Sequence, residues 1–185
     1  MANLDAPNGL KPVRHLTGGV IRTEEFKIAS GLSTAIFTGD CVKLLSTGYI
    51  DECDAGDRIL GVFAGCSYAN SSGEQVFSRQ WTASATTQGS VDVTAYVYSD
   101  PQIVFAVQSA GSADFADIGQ LADIVATAGD TNTGQSKHEI SGTTGTGTAG
   151  LRILGLYEEP KNAYGTNGVL EVQIYEHELT FATGV

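Results

Sequence analysis

Short apolar–polar alternation, cut every few residues by glycine, dominates this chain and directs it toward antiparallel sheets. In VDVTAYVYS (91–99), Val91, Val93, Ala95 and Val97 form one face. In LEVQIYEHEL (170–179), Leu170, Val172 and Ile174 oppose Glu171, Gln173 and Tyr175. Successive side chains point to opposite faces of a strand, so period-2 patterning marks half-buried antiparallel strands. The same signals predict strands over 20–29, 35–38, 41–45, 58–68, 75–81, 102–108, 151–158 and 168–179. Clusters of Gly, Asp, Asn, Pro or Ser bound each of them. Helical periodicity is nearly absent. In DFADIGQLADIV (114–125), Phe115, Ile118, Leu121 and Ala122 recur at spacings of three and four. Gly119 costs such a helix about 1 kcal/mol relative to alanine, and a strand at 119–126 explains the same residues equally well. The expectation is a mainly β fold with an antiparallel sandwich or barrel-like body and at most one short helix.

The chain also writes one phrase twice, RILGVF at 58–63 and RILGLY at 152–157. The stretches leading to them, 39–65 and 118–160, share an order of features. Each opens on an apolar alternation, passes through a glycine-bearing polar turn, and ends on R-I-L-G. This order predicts a pseudo-repeat of two small β-units. Gly61 and Gly155 then sit inside strands, where glycine marks a bulge, a corner or a close backbone approach. Residues 127–150 are polar and Gly/Thr-rich, and read as a long exposed loop or a wide hairpin. A loop of that length in a compact domain is commonly functional.

Charge narrows the partners. The 185 residues carry a net charge of -11. Residues 1–22 hold Lys11, Arg14 and Arg22 against Asp5, a net of +2, which leaves -13 on the remainder. Nucleic-acid binding rests mostly on cations meeting phosphate, so the acidic body argues against it. No run approaches the ~20 apolar residues of a membrane span, and the first residues lack the apolar segment of a secretory signal.

Catalytic signatures are missing. There is no G-x-S-x-G, no H-E-x-x-H and no phosphate-binding G-x-x-x-x-G-K-[ST], and the glycine run 142–150 is followed by no lysine. Cys41, Cys53 and Cys66 are odd in number and lack C-x-x-C spacing. They read as reduced thiols in β-structure, with a Cys41–Cys66 or Cys53–Cys66 bridge as the alternative. DECDAGD (51–57) reads as a turn, or as a weak surface calcium site without EF-hand spacing. His177, between Glu176 and Glu178, reads as a solvated strand end, or as a metal ligand at an oligomer axis. Asn70-Ser71-Ser72 fits a glycosylation pattern that needs a secretory route. Trp81 reads as core; with Tyr96 and Tyr98 it is the one candidate sugar-binding platform. The expectation is no enzyme and no cofactor.

One set of phrases carries a resemblance: the opening MANLDAPNGLKPVRHLTGG, then R-T-x-x-[FY]-x-I-A-S-G, GDCVKL, AGDRILGVFAG, YSDPQIVFAVQ, DIGQLADIV, LRILGLYEEPKNAYG and VLEVQIYEHEL. Together they resemble the capsid decoration, or cement, proteins of tailed bacteriophages, over nearly the whole chain. The resemblance implies a β-rich virion protein on the outer surface of an icosahedral capsid, assembled in the host bacterial cytoplasm. It implies the major capsid protein as partner, and self-association as a homotrimer or a dimer, with no nucleic acid and no membrane. It implies an extended N-terminal arm, residues 1–27, preceding a body at 28–185. Leu10, Lys11, Pro12, Val13, Arg14 and His15 are its expected capsid contacts, with strand addition as a natural binding mode. Other virion components (head fibre, connector or tail) and a carbohydrate-binding β-sandwich are the alternatives.

Overall fold

A computed structural model of the chain describes residues 3–145 and 149–180. The first half contributes β1 (Lys11–His15), β2 (Glu24–Ile28), β3 (Ile36–Phe37), β4 (Cys41–Leu44), β5 (Ile50–Glu52), β6 (Gly61–Ala69), β7 (Gln75–Ser78), β8 (Gln80–Trp81) and β9 (Val93–Tyr98). The second contributes β10 (Ile103–Gln108), β11 (Ser112–Ala113), β12 (Leu121–Ala122), β13 (Ile124–Val125), β14 (Glu139–Ile140), β15 (Leu151–Leu156), β16 (Gly165–Thr166) and β17 (Val169–Ile174). The fold is mainly β, as the alternation implies. The helical pattern at 114–125 resolves into a 3-10 turn at Phe115–Asp117, capped reciprocally by Asp114 and Asp117, followed by β12 and β13. Gly119 has φ +86, which ends any helical run there.

Two antiparallel sheets dominate. One runs β2-β9-β6-β4-β5, with β7 on the far end of β6; the other runs β1-β10-β17-β15-β12. Within them the two halves repeat one topology. β2, β4, β6 and β9 lie in the order β2-β9-β6-β4, and β10, β12, β15 and β17 lie in the order β10-β17-β15-β12. In both, three strands meander and the first returns beside the last, a Greek-key arrangement. The two R-I-L-G phrases lead into or lie within the third strand of each unit, β6 and β15.

The β2 and β5 ends of the first sheet lie against each other, so this sheet curls into a roll. Its interior holds Ile28, Ile36, Val42, Ile50, Leu60, Phe63, Trp81, Val93, Ala95 and Val97. A second core fills the space between the outside of this roll and the second sheet. Cys41, Cys53, Ile59 and Val62 come from the roll, and Phe105, Val107, Leu151, Ile153, Leu170 and Val172 from the facing sheet. Val91 leaves the expected face of β9: it precedes the strand and is exposed.

The repeated glycines do different work. A Cβ on Gly61 would fall on the carbonyl oxygen of Tyr98, with Val97 Cγ1 at 2.8 Å, so glycine there lets β6 lie close to β9. Gly155 borders a bulge in the β15–β17 register, and a Cβ there would meet nothing within 4 Å. Gly61→Ala is expected to lower stability by about 1–3 kcal/mol through overpacking. Gly155→Ala is expected to stay within about 0.5 kcal/mol of the parent. Urea unfolding of the two variants beside the parent measures the contrast.

Candidate functional site

The six residues expected as capsid contacts belong to the body. Leu10 is 1% exposed and sits in the second core, its N–H donating to Gly39 O at 2.9 Å. Residues 11–15 form β1, paired antiparallel with β10. The expected arm apart from the body is therefore corrected over this stretch: Leu10 buries more favourably in its own chain than in solvent. Arg14 pairs with Glu171 on β17, with Nη2 at 2.7 Å and Nε at 3.1 Å from one carboxylate oxygen. The His15 side chain is folded in. Nε2 lies 3.2 Å from Asp100 Oδ2, and Nδ1 accepts the N–H groups of Thr17 and Gly19. Lys11 projects outward, and Pro12 and Val13 are half-buried.

β1 is an edge strand, yet it is poorly suited to accept another. Pro12 has no N–H to offer, a register shift falls between Pro12 and Arg14, and Lys11 and Arg14 place charge along it. Proline, bulges and charge are the devices by which sheet edges resist further pairing. Beside β1 lies a cleft of about 470 Å³, bordered by Leu4, Lys11, Val13, Tyr157, Pro160 and Lys161 among others. Asparagines stiffen its rim. Asn3 donates to Ala163 O and Thr166 O, and Asn162 donates to Tyr157 O and Val169 O. Leu4, beside the cleft, is 80% exposed; Phe115, on the 3-10 turn and edge-on to Tyr164 at 5.9 Å, is 73% exposed.

A second constellation was not anticipated from the sequence. Asp40, Glu52 and His138 converge on one buried point, with His138 Nε2 2.9 Å from Glu52 Oε1 and 3.4 Å from Asp40 Oδ1. Asp40 lies between β3 and β4, Glu52 ends β5, and His138 leads into β14. The 127–150 stretch, expected as a long exposed loop or a wide hairpin, is anchored: Ser136, His138 and Ile140 are fully buried, and β14 within it pairs antiparallel with β13. Residues 146–148 of that stretch lie outside the described residues. Distance alone would permit a metal ion among the three side chains. The imidazole argues otherwise, because its Nδ1 accepts the Cys41 N–H at 3.3 Å. A metal-bound histidine instead donates from its other nitrogen.

Other expectations are corrected by burial. His177 is 1% exposed and Glu176 9%, so this is no solvated strand end; Ile59 bonds Glu176 and Glu178 on either side of it. Trp81 is fully buried, donates to Leu32 O and meets Tyr68 edge-on, so it offers no sugar platform. All three cysteines are free and buried, and burial pushes the Cys66 thiol up to about 12. DECDAGD forms a turn, with Asp57 held by Lys43 at 2.6 Å. Comparison with protein-family models, curated proteins and solved structures returns no match to this chain.

Leu10→Ala is expected to cost about 2–5 kcal/mol, as for other buried leucines. Lys11→Ala, on the next residue but exposed, should cost less than about 0.5 kcal/mol. Chemical unfolding of both separates an anchored strand from a loose arm, since a loose arm would tolerate either change.

Proposed function

We propose that this chain is a virion structural protein that binds the outside of an icosahedral phage capsid and cements neighbouring major capsid protein subunits. The observation that carries this reading is the ordered series of phrases, from MANLDAPNGL to VLEVQIYEHEL, that resembles phage decoration proteins. The use the chain makes of its side chains supports it. His15, His138, Asp40 and Glu52, the groups best equipped for chemistry, are committed to internal hydrogen bonds. Two large apolar side chains stay in solvent: Leu4, next to Asn3, which bonds the 157–169 connection, and Phe115, which packs edge-on against Tyr164 of that connection. That combination suits binding better than turnover. A net charge of -11 suits a surface turned toward solvent and away from packaged DNA.

The mechanism needs no chemical step. A protein that binds only the assembled shell stabilises that shell by mass action, and many copies multiply the effect. In this reading capsid contact falls to the outward side of β1, namely Lys11 and Val13, and to the exposed Phe115 on the 3-10 turn. Leu10 and His15 act from within by holding β1 in place. A homotrimer is the proposed oligomer.

Electron cryomicroscopy of particles with and without the protein tests this. Regular density at local symmetry axes outside the shell is expected, and Phe115→Asp should reduce its occupancy at least tenfold without lowering the stability of the free chain. Density at a single vertex or along the tail would instead assign a connector or tail role.

A further inference from the structure

The buried cluster of Asp40, Glu52 and His138 sits where three parts of the chain meet. Segment 134–138 docks on the roll through Ser136 N to Thr38 O and Thr38 N to Gly134 O. The N-terminal segment docks beside it through Leu10 N to Gly39 O, with Gln135 Nε2 donating to Asn8 O. Asp40 and Glu52 both point at His138 Nε2. Two carboxylates in one buried place need a positive charge or a proton between them.

The imidazole does not supply that charge. Its Nδ1 accepts the Cys41 N–H, so the proton of the neutral ring resides on Nε2 and is donated to Glu52 at 2.9 Å. An imidazolium would carry a second proton on Nδ1, directed at the Cys41 N–H. A divalent cation on Nε2 would force the ring proton to the same place. A proton on one carboxylate is what remains. Glu52 keeps 22% of its side chain in solvent and already holds the Nε2 proton. Asp40 has no exposed surface; its Oδ2 accepts the Phe37 N–H at 2.6 Å, while its Oδ1 has no hydrogen-bond partner.

We infer that Asp40 is a proton-binding site, a neutral acid in mildly acidic solution, whose ionisation toward neutral pH weakens the docking of residues 8–10 and 134–138 onto the roll. The groups facing it are Glu52 from β5, His138 and the Ser136 hydroxyl from the 134–138 segment, the Phe37 N–H from β3, and Cys41 from β4. Cys41 is a thiol that burial keeps protonated. Burial pushes the Asp40 carboxyl from 3.8 up to about 6, with Glu52 adding to the rise; the Ser136 hydroxyl and the Phe37 N–H hold it down, as would a charge on His138, which the neutral ring does not carry. Because the folded value lies above the unfolded one, the folded chain binds more protons between these values. The Asp40 contribution is therefore most favourable in acid, falls as pH rises through about 6, and is flat beyond. From pH 5 to pH 7.5 this amounts to about a tenfold loss in the folding equilibrium constant.

The test is urea unfolding of the full chain at pH 5 and pH 7.5, with Asp40→Asn alongside. The parent should lose about tenfold more in its folding constant than the variant over that interval. An identical pH response in the two overturns the inference. Should Asp40→Asn fail to fold, carboxyl carbon-13 shifts of the unaltered chain decide. An Asp40 midpoint near 6 supports the site, and one near 3.8 overturns it. Stoichiometric divalent metal in the purified chain, with stability lost on adding EDTA, also overturns it, because a cation there requires both carboxylates ionised.

Discussion

Burial of β4 and β6 on both faces is the constraint on which the rest of the structure depends. Cys41 and Val62 face the core shared with the second sheet, while their neighbours Val42 and Phe63 face the inside of the roll. A strand buried on both sides needs a nearly continuous apolar run, which C-V-K-L-L and I-L-G-V-F provide. It also fixes register, since a slip of one residue would exchange every side chain between two cores of different shape. Gly61 belongs to this arrangement: without a side chain it lets β6 approach the Tyr98 carbonyl at the junction of the two cores. In the second Greek-key unit the strand buried at every position is the first, β10. Its third strand, β15, buries Leu151 and Ile153 on one face, and leaves Arg152, Leu154 and Gly155 half-buried on the other.

Dispersion and area hold the two sheets together, but they do not say where the long 126–140 connection must lie. Polar contacts do. Thr38, Ser136, Gln135 and His138 each find a partner across the seam, and a buried donor or acceptor tolerates few alternatives to its partner. Glycine makes room for this seam as well. A Cβ on Gly9 would lie 2.5 Å from Ser136 Oγ, and φ is positive at both Gly9 and Gly39. The N-terminal segment, the β3–β4 corner and the approach to β14 thus close over one point.

Much of the strand content was legible because alternation at Val93, Ala95 and Val97, or at Leu170, Val172 and Ile174, is a local property of the chain. β1 was not read as a strand. Pro12 and the basic residues around it resemble a linker, and only the tertiary burial of Leu10 draws them into a sheet. The doubled R-I-L-G phrase pointed to two units but not to their extent, since β2 and β10, the first strand of each, share no phrase. The Asp40, Glu52 and His138 cluster had no sequence signal. Asp40 and Glu52 flank the β4–β5 hairpin, His138 follows Glu52 by 86 residues, and each is ordinary in its own context. G-D at a turn, D-E in an acidic stretch and K-H-E in a polar loop become one site only when β4, β5 and β14 are assembled.

The placement of the edges bears on how such a chain meets a partner. β1 carries Pro12, a bulge and two cations; β2 carries Glu24, Glu25 and Lys27, and is turned toward β5 by the curl of its sheet. Leu121 at the far edge is capped by reciprocal hydrogen bonds with Gly145. Strand addition is thereby disfavoured at each of these places, which protects the chain from indiscriminate pairing with itself. Recognition must then run through side chains on connections, and those are useful only if they are rigid before contact, since ordering a loop on binding subtracts from affinity. The 157–169 connection meets that condition. Asn162 spans it with three hydrogen bonds to Tyr157 and Val169, and Asn3 ties it to the N-terminal segment. Under the proposed reading, the polar side chains that look least like a binding site are what make the apolar ones beside them into one.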